Sequence, residues 1–348
     1  MPSTRLSARS HLESILAAPP TPSGDATIRD FLLAGNQQAF TPDQLAGYTD
    51  ALRQASIPLP LTTEERAAIV DTCGTGGDLA ATFNISTAAA ILAAACDVPI
   101  AKHGNRASTS RCGSADVLEA LGIPLQTSPD SAAASLREHN FAFLFAPAFH
   151  PALARVAPIR RALGVRTFFN LIGPLSNPAG ARRQLIGVYD PALVPLLAQT
   201  LALLGVDHAL VVHGFPPENS PESTGLDEIT LAGSTLVAEI LGTQILEFTI
   251  TPAAFDLAPH TAPNPYAASH SPQTADPGTL INDNARILTA ILANQLHGPP
   301  REIVLANTAA VLRVAGRATS WKQGFDLAAD AISSGAARRK LEQLSVLR

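Results

Sequence analysis

The 348-residue chain has only three cysteines, Cys73, Cys96 and Cys112, and no two of them stand in a C-x-x-C spacing. That argues against a zinc site, and an odd count argues against a disulfide framework. A reducing cytoplasm is the expected setting. No run of about 18 uncharged apolar residues occurs, which argues against a membrane-spanning helix. A basic excess is also missing. Lys and Arg number 24 against 29 Asp and Glu, for a net charge of −5, and general nucleic-acid binders carry the opposite balance. Neither a G-K-[ST] phosphate loop nor the dinucleotide pattern G-x-G-x-x-G is present.

What is present is apolar material, 46% of the residues, enough for a sizeable core and against disorder of the whole chain. The length suits two domains. The opening MPSTRLSARSHLESIL places Arg5 and Arg9 before its first acid, as transit peptides do, but Leu12, Ile15 and Leu16 at helical spacing favour a first amphipathic helix. A second helix is predicted over Thr27–Leu33, with Gly35 after it. A third is predicted from Thr41 as N-cap and Pro42 at the first helical position.

From Ala67 the texture changes. AAIVDTC, VPIAKH, FAFLFA, LIGVYD, HALVVHG and TQILEFTI read as strands, several with helical stretches between them. The expected fold is α/β: a small all-helical part and a larger part with a mainly parallel central sheet flanked by helices. In such sheets ligands sit beyond the carboxyl ends of the strands. The tails there are GTGGD, HGNR, APAFHP and HG. Residues 214–225 and 256–283 read as surface excursions. Later helices are predicted over Asn284–Gln295, Glu302–Ala315 and Trp321–Ser333. Arg338, Arg339 and Lys340 read as a solvated face placed favourably for a helix C-terminus.

Chemistry concentrates between Asp71 and Asp116. Gly74-Thr75-Gly76-Gly77-Asp78 follows a strand, and its backbone N–H groups suit a nest for an anion, although a glycine turn is also an ordinary turn. Asn84-Ile85-Ser86-Thr87 precedes AAAILAAA, so Ser86 or Thr87 falls at a helix N-terminus. Capping accounts for that position, and so does holding phosphate or, through the Ser86 hydroxyl, Mg2+. Lys102-His103-Gly104-Asn105-Arg106-Ala107-Ser108-Thr109-Ser110 gathers charge and hydroxyls more densely than a plain turn. Ser114 is predicted to cap the next helix, with Asp116 in its first turn. His150-Pro151 opens another helix, which carries Arg155, Arg160 and Arg161, ends before Arg166 and is kinked by Pro158. Asn170 to Pro174 reads as a close-approach turn. Asp227-Glu228 are adjacent acids, commonly just exposed, yet suited to hold Mg2+ against substrate phosphates.

The segments DTCGTGGD, TFNIST, KHGNRASTSRCGSADVLEALG, HPALARVAPIRRALGVRTFFNLIGPLSNP and GLDE together resemble the anthranilate phosphoribosyltransferase family of tryptophan biosynthesis. The resemblance is clearest over about residues 68–190, resumes over 207–240, and is weaker over 284–345. It implies transfer of phosphoribosyl from phosphoribosyl pyrophosphate (PRPP) to the amine of anthranilate. The other reading is a related enzyme of the same fold with a different aromatic or nucleobase acceptor. The resemblance further implies a helical domain from 1–66 with about 150–182, and an α/β domain from 67–149 with about 183–348. It implies a homodimer through the helical domains, a cytoplasmic enzyme with no nucleic-acid or membrane partner, and up to two Mg2+ per monomer.

Carried over by position, the PRPP site comprises Gly74, Gly77, Asp78, Thr82, Asn84, Ile85, Ser86, Thr87, Lys102, His103, Gly104, Asn105, Arg106, Ala107, Ser108, Thr109, Ser110 and Ser114. Mg2+ falls to Ser86, Asp227 and Glu228. The anthranilate path falls to Gly74, His103, Asn105, His150, Arg160 and Gly173, with Arg160 facing the carboxylate. Leu153 and Ala154 stand where the family often has a methionine and a basic residue. An aromatic amine is neutral at pH 7, so no obligatory general base is expected, with His103, Asn105 and Arg160 as positioning groups.

Overall fold

The computed structural model describes residues 4–36, 39–76, 82–106, 112–217, 225–262, 265–266 and 276–346. The chain begins with α1 (Arg5–Leu16), α2 (Pro22–Asn36), α3 (Pro42–Gln54) and α4 (Thr63–Ala68). Then come β1 (Val70–Gly74), α5 (Ile85–Ala95), β2 (Ile100–Gly104), α6 (Ser114–Ala120), α7 (Pro129–His139) and β3 (Phe141–Phe145). Next are α8 (Ala146–Phe149), a 3-10 turn (Pro151–Leu153), α9 (Val156–Leu163) and α10 (Phe169–Ile172). They lead to β4 (Arg183–Gly187), α11 (Leu193–Leu204), β5 (His208–Gly214), β6 (Thr235–Leu241) and β7 (Gln244–Ile250). After a second 3-10 turn (Pro252–Phe255) come α12 (Pro277–Leu292), α13 (Pro299–Val314), α14 (Trp321–Ser333) and α15 (Ala336–Ser345).

One seven-stranded sheet has the order β3-β2-β1-β4-β5-β6-β7. β1 to β5 pair in parallel, and β6 and β7 add an antiparallel edge. Strands covered on both faces read as continuous apolar runs, which is why the parallel strands are legible in the sequence. On β5, Leu210 and Val212 join the core formed with α5, α13 and α14. Ala209 and Val211 join the opposite core, formed with α3 and α11. That is the two-residue period of a strand. Helix α13 is buried from Ile303 to Leu312, as expected of a helix apolar all round. In the second core Leu12, Ile28 and Leu45 of α1–α3 meet Val156, Phe169 and Ile172 of α9 and α10.

Chain order along the sheet places the site. The chain leaves β1 for β2 and β3, then returns to the other side of β1 as β4. This reversal opens a crevice at the carboxyl ends of β1 and β4. There Gly74 and Gly187, the last residues of those strands, are register partners.

The structure corrects several sequence expectations. β6 is an additional strand. It pairs with both β5 and β7 and turns into β7 through Gly242 at φ +61°. Helix α2 is longer than Thr27–Leu33 and contains Gly35, because Pro22 fits the first helical position. Helix α3 begins as predicted: Thr41 Oγ1 accepts the Gln44 N–H at 3.3 Å and Gln44 Oε1 accepts the Thr41 N–H at 2.8 Å. Gly113, not Ser114, caps α6, with the Asp116 carboxylate accepting the Gly113 N–H at 3.0 Å. No continuous helix runs from His150. The 3-10 turn comes first and α9 starts at Val156, so Pro158 falls in a first turn, where it breaks no i−4 hydrogen bond. Arg338, Arg339 and Lys340 lie at the start of α15 rather than its end. Arg338 pairs with Glu342 and Lys340 Nζ donates to the His139 carbonyl.

Candidate active site

Gly76, at φ +64°, turns the chain just past β1. Its N–H donates to Asp227 Oδ2 at 3.0 Å. One half of the predicted metal pair is therefore tied to the predicted anion nest. The loop is also pinned to the neighbouring strand: Thr75 N–H donates to the Gly187 carbonyl at 2.9 Å, and Tyr189 N–H to Thr75 Oγ1 at 3.3 Å.

Beneath this loop lies Lys102, on β2 and only 2% exposed. Its Nζ donates to the Thr72 carbonyl at 2.5 Å and reaches Ser86 Oγ at 3.4 Å. Burial lowers the ammonium pKa. The carboxylates of Asp71, Glu228 and Asp227 hold it up, Asp71 most strongly among them. Lys102, Ser86, Asp227 and Glu228 thus lie close enough to interact. Asp71 is a site residue that the motifs do not single out. It is fully buried, its Oδ1 accepts the His103 N–H at 3.2 Å, and burial pushes its carboxyl up to about 6. The only sequence signal is a charged residue inside a buried strand.

Helix α5 begins at Ile85 with Asn84 at the cap and no side-chain cap bond. Ser86 and Thr87 lie inside its first turn, so neither acts as the cap. Because α5 follows β1, its N-terminus lies at the carboxyl end of the parallel strands, and a helix N-terminus attracts anions. Asn84 is held from below: its N–H donates to Asn284 Oδ1 at 2.8 Å. Thr82 lies between the loop and α5, half-buried.

On the acceptor side, the rings of His103 and His150 are 5.0 Å apart. Burial pushes His103 down to about 3 and His150 to about 4, so both are neutral imidazoles at pH 7. His103 Nε2 and both ring nitrogens of His150 have no hydrogen-bond partner among the described residues. Arg160, in the last turn of α9, stacks on the Phe169 ring at 5.2 Å and donates to Asn170 Oδ1 at 3.2 Å. Burial lowers its pKa, and no described carboxylate pairs with it. Gly173 follows α10 with helical φ of −54°, its N–H bonded to the Phe169 carbonyl. It continues that helical turn without a left-handed bend.

Gly104 lets β2 pass closely. A Cβ there would meet Ser114 Oγ at 2.6 Å and the Phe143 ring at 2.7 Å. The Asn105 carbonyl accepts from Ala115 N–H and Ser114 Oγ at 3.3 and 3.4 Å. Arg106 sits beside two acids of the next helix. It is exposed and bound to Asp116 and Glu119, whose spacing on one face of α6 forms a ready counter-charge. The predicted site residues Gly77, Asp78, Ala107, Ser108, Thr109 and Ser110 lie outside the described residues.

A parallel sheet with a glycine turn, a helix N-terminus, a buried lysine and adjacent carboxylates at its switch point suits charged, phosphate-bearing substrates. The chain belongs to the glycosyl transferase family whose a/b domain model matches residues 66–338. It is 47% identical over 304 residues to anthranilate phosphoribosyltransferase of Nitrosospira multiformis, covering 87% of this chain and 81% of that one. Among solved structures it resembles the Thermus thermophilus enzyme of the same name, with TM-score 0.84, 34% identity, and 99% and 95% of the two chains covered. The Saccharomyces cerevisiae enzyme in complex with PRPP and Mg gives TM-score 0.82 at 30% identity, covering 98% and 92%. The yeast complex with 4-fluoroanthranilate gives 0.80 at 28%, with the same coverage.

Proposed function

We propose that the protein transfers the 5-phosphoribosyl group of PRPP to the amine of anthranilate, giving N-(5-phosphoribosyl)anthranilate and pyrophosphate. The observation that carries this reading is the Gly76–Asp227 hydrogen bond, which joins glycine loop and carboxylate pair above buried Lys102. The relatives' names favour anthranilate over another aromatic or nucleobase acceptor.

In the reaction a bond forms between the acceptor nitrogen and C1 of the ribose, the bond from C1 to pyrophosphate oxygen breaks, and the nitrogen then loses one proton to solvent. The leaving group gains charge, and fixed positive groups stabilise it. Lys102 and the α5 N-terminus supply such charge on the PRPP side. The hydroxyl of Ser86 and the carboxylates of Asp227 and Glu228 are hard oxygen donors that fit Mg2+. Mg2+ commonly takes its remaining ligands from water and substrate phosphates. Bound there, Mg2+ supplies Lewis-acid neutralisation of the pyrophosphate.

Arg160 is suited to the acceptor carboxylate, since it is half-buried and carries no described counter-ion. The neutral imidazoles of His103 and His150 offer lone pairs that can accept hydrogen bonds from an uncharged arylamine and orient it. Asn105 and Gly173 line the same path. Residues 1–66 with about 150–182 serve as the helical, acceptor-side domain; α1–α3 pack with α9 and α10 in a core that β4, β5, β6 and α11 also enter. Residues 67–149 with about 183–348 serve as the PRPP- and metal-binding domain. A homodimer through the helical domains completes the reading. Sedimentation as a monomer at micromolar concentration would remove that part. Among the described residues no helix is long and apolar enough to cross a membrane, and a biosynthetic role suits the cytoplasm.

The acceptor is tested by pyrophosphate release from PRPP with anthranilate, other aromatic amines and nucleobases. Release with anthranilate alone is expected; release with a nucleobase and not anthranilate overturns the reading.

A further inference from the structure

Three neighbouring strands of the sheet, β1, β4 and β5, each end in glycine: Gly74, Gly187 and Gly214. None of the three has positive φ, so left-handed backbone is not why glycine stands there. Closeness is. A Cβ on Gly187 would fall 1.6 Å from the Asp227 carbonyl oxygen, one on Gly74 would fall 2.6 Å from Asp227 Oδ2, and one on Gly214 would fall 2.6 Å from the Glu228 carbonyl oxygen. The segment Leu226–Glu228 lies directly on these strand ends. It is fastened there by a two-way bridge, Gly214 N–H to the Leu226 carbonyl at 2.9 Å and Leu226 N–H to the Gly214 carbonyl at 2.8 Å.

We propose that Gly187 and Gly214 are positioning residues for the metal-binding carboxylates, forming with Gly74 a flat platform that sets the height of Asp227 and Glu228 above the sheet. The inference rests on the reading of those two carboxylates as Mg2+ ligands. Contacts of a real Cβ essentially never fall under 3.0 Å. A methyl group at Gly187 therefore lifts the Asp227 backbone by roughly 1.4 Å, and one at Gly214 shifts Glu228 by roughly 0.4 Å. The first shift is larger than the tolerance of a preorganised site, where about 1 Å of misplacement is costly. It also pulls Asp227 Oδ2 from the Gly76 N–H.

The test is Mn2+ affinity at saturating PRPP, read by water-proton relaxation, for wild type, Gly187→Ala, Gly214→Ala and Gly324→Ala. Gly324 is a control for crowding away from the site, since a Cβ there would meet Ala309 at 2.9 Å. Gly187→Ala is expected to bind Mn2+ at least roughly tenfold more weakly, Gly214→Ala to lose about two- to fivefold, and Gly324→Ala to match wild type while melting lower. If circular dichroism shows Gly187→Ala unfolded, Gly214→Ala carries the test. Wild-type affinity in the folded platform variants, or equal loss in Gly324→Ala, overturns the platform alone. No Mn2+ binding by wild type overturns the metal reading and the platform together.

Discussion

The Gly76 N–H and the Asp227 carboxylate, 151 residues apart in the chain, meet in a hydrogen bond of 3.0 Å. The bond fixes the orientation of that carboxylate beside the glycine loop. Asp227→Asn keeps an acceptor for Gly76 but removes the charge. The expected result is a fall in kcat/KM of roughly 100-fold with a raised Mg2+ requirement and a nearly unchanged melting temperature. Steady-state rates against Mg2+ concentration check it, and wild-type rates at low Mg2+ contradict it.

Arg160 is held by Phe169 and Asn170 and has no described acidic partner. A charged hydrogen bond is worth about 1.5–3 kcal/mol. Arg160→Ala is therefore expected to raise the KM for anthranilate roughly tenfold to 100-fold, with the KM for PRPP changed less than about threefold. An effect confined to PRPP places the guanidinium on the wrong substrate.

Lys102 and Asp71 are both buried, and removing one member of a buried pair leaves the other uncompensated. Lys102→Met is expected to cost about 3 kcal/mol or more of unfolding free energy in urea. The double variant Lys102→Met with Asp71→Asn is expected to recover part of that loss. Simple additivity of the two losses argues against a coupled pair.

His150 has its pKa pushed down to about 4 by burial, from an ordinary 6.5. The unfolded chain therefore takes up a proton before the folded one does. This contribution to stability is complete above pH 6.5 and is lost as pH falls towards 4. For His150 it amounts to about 2 kcal/mol between pH 7 and pH 5. His103, at about 3, acts in the same direction. Asp71, raised to about 6, acts oppositely, because its folded carboxyl protonates first. The clean comparison is thus wild type against His150→Gln, whose unfolding free energy is expected to fall less steeply over that range. Identical slopes contradict the assignment.

No group is required here as an obligatory base, since the attacking amine is neutral. General-base catalysis typically contributes about 10²–10⁴-fold. His103→Ala is expected to lower kcat by less than about 100-fold. Loss of all turnover with both substrates still bound contradicts this.

Much of this arrangement is legible in the amino-acid sequence. The parallel strands are, because burial on two faces leaves unbroken apolar runs such as FAFLF and HALVV. β6 is not, because TLVAEIL mixes good helix formers with apolar residues, and its strand form depends on pairing with β5 and β7. Gly76 and Asp227 can each be suspected, but not their contact, which the sheet order creates. The ion pairs of Arg106 are not legible, because a cation in a polar turn carries no sign of the two acids on the next helix that bind it. Gly187 escapes notice because a glycine at a strand end ordinarily signals a turn, and here it marks where Asp227 rests.

The most direct measurement is the loss of anthranilate fluorescence on mixing the protein with anthranilate, PRPP and Mg2+, repeated with each component left out. Fluorescence is expected to decay in the complete mixture, with equimolar pyrophosphate released, and to hold steady without PRPP or protein and nearly steady without Mg2+. No decay in the complete mixture, from a folded protein that binds PRPP, contradicts the account.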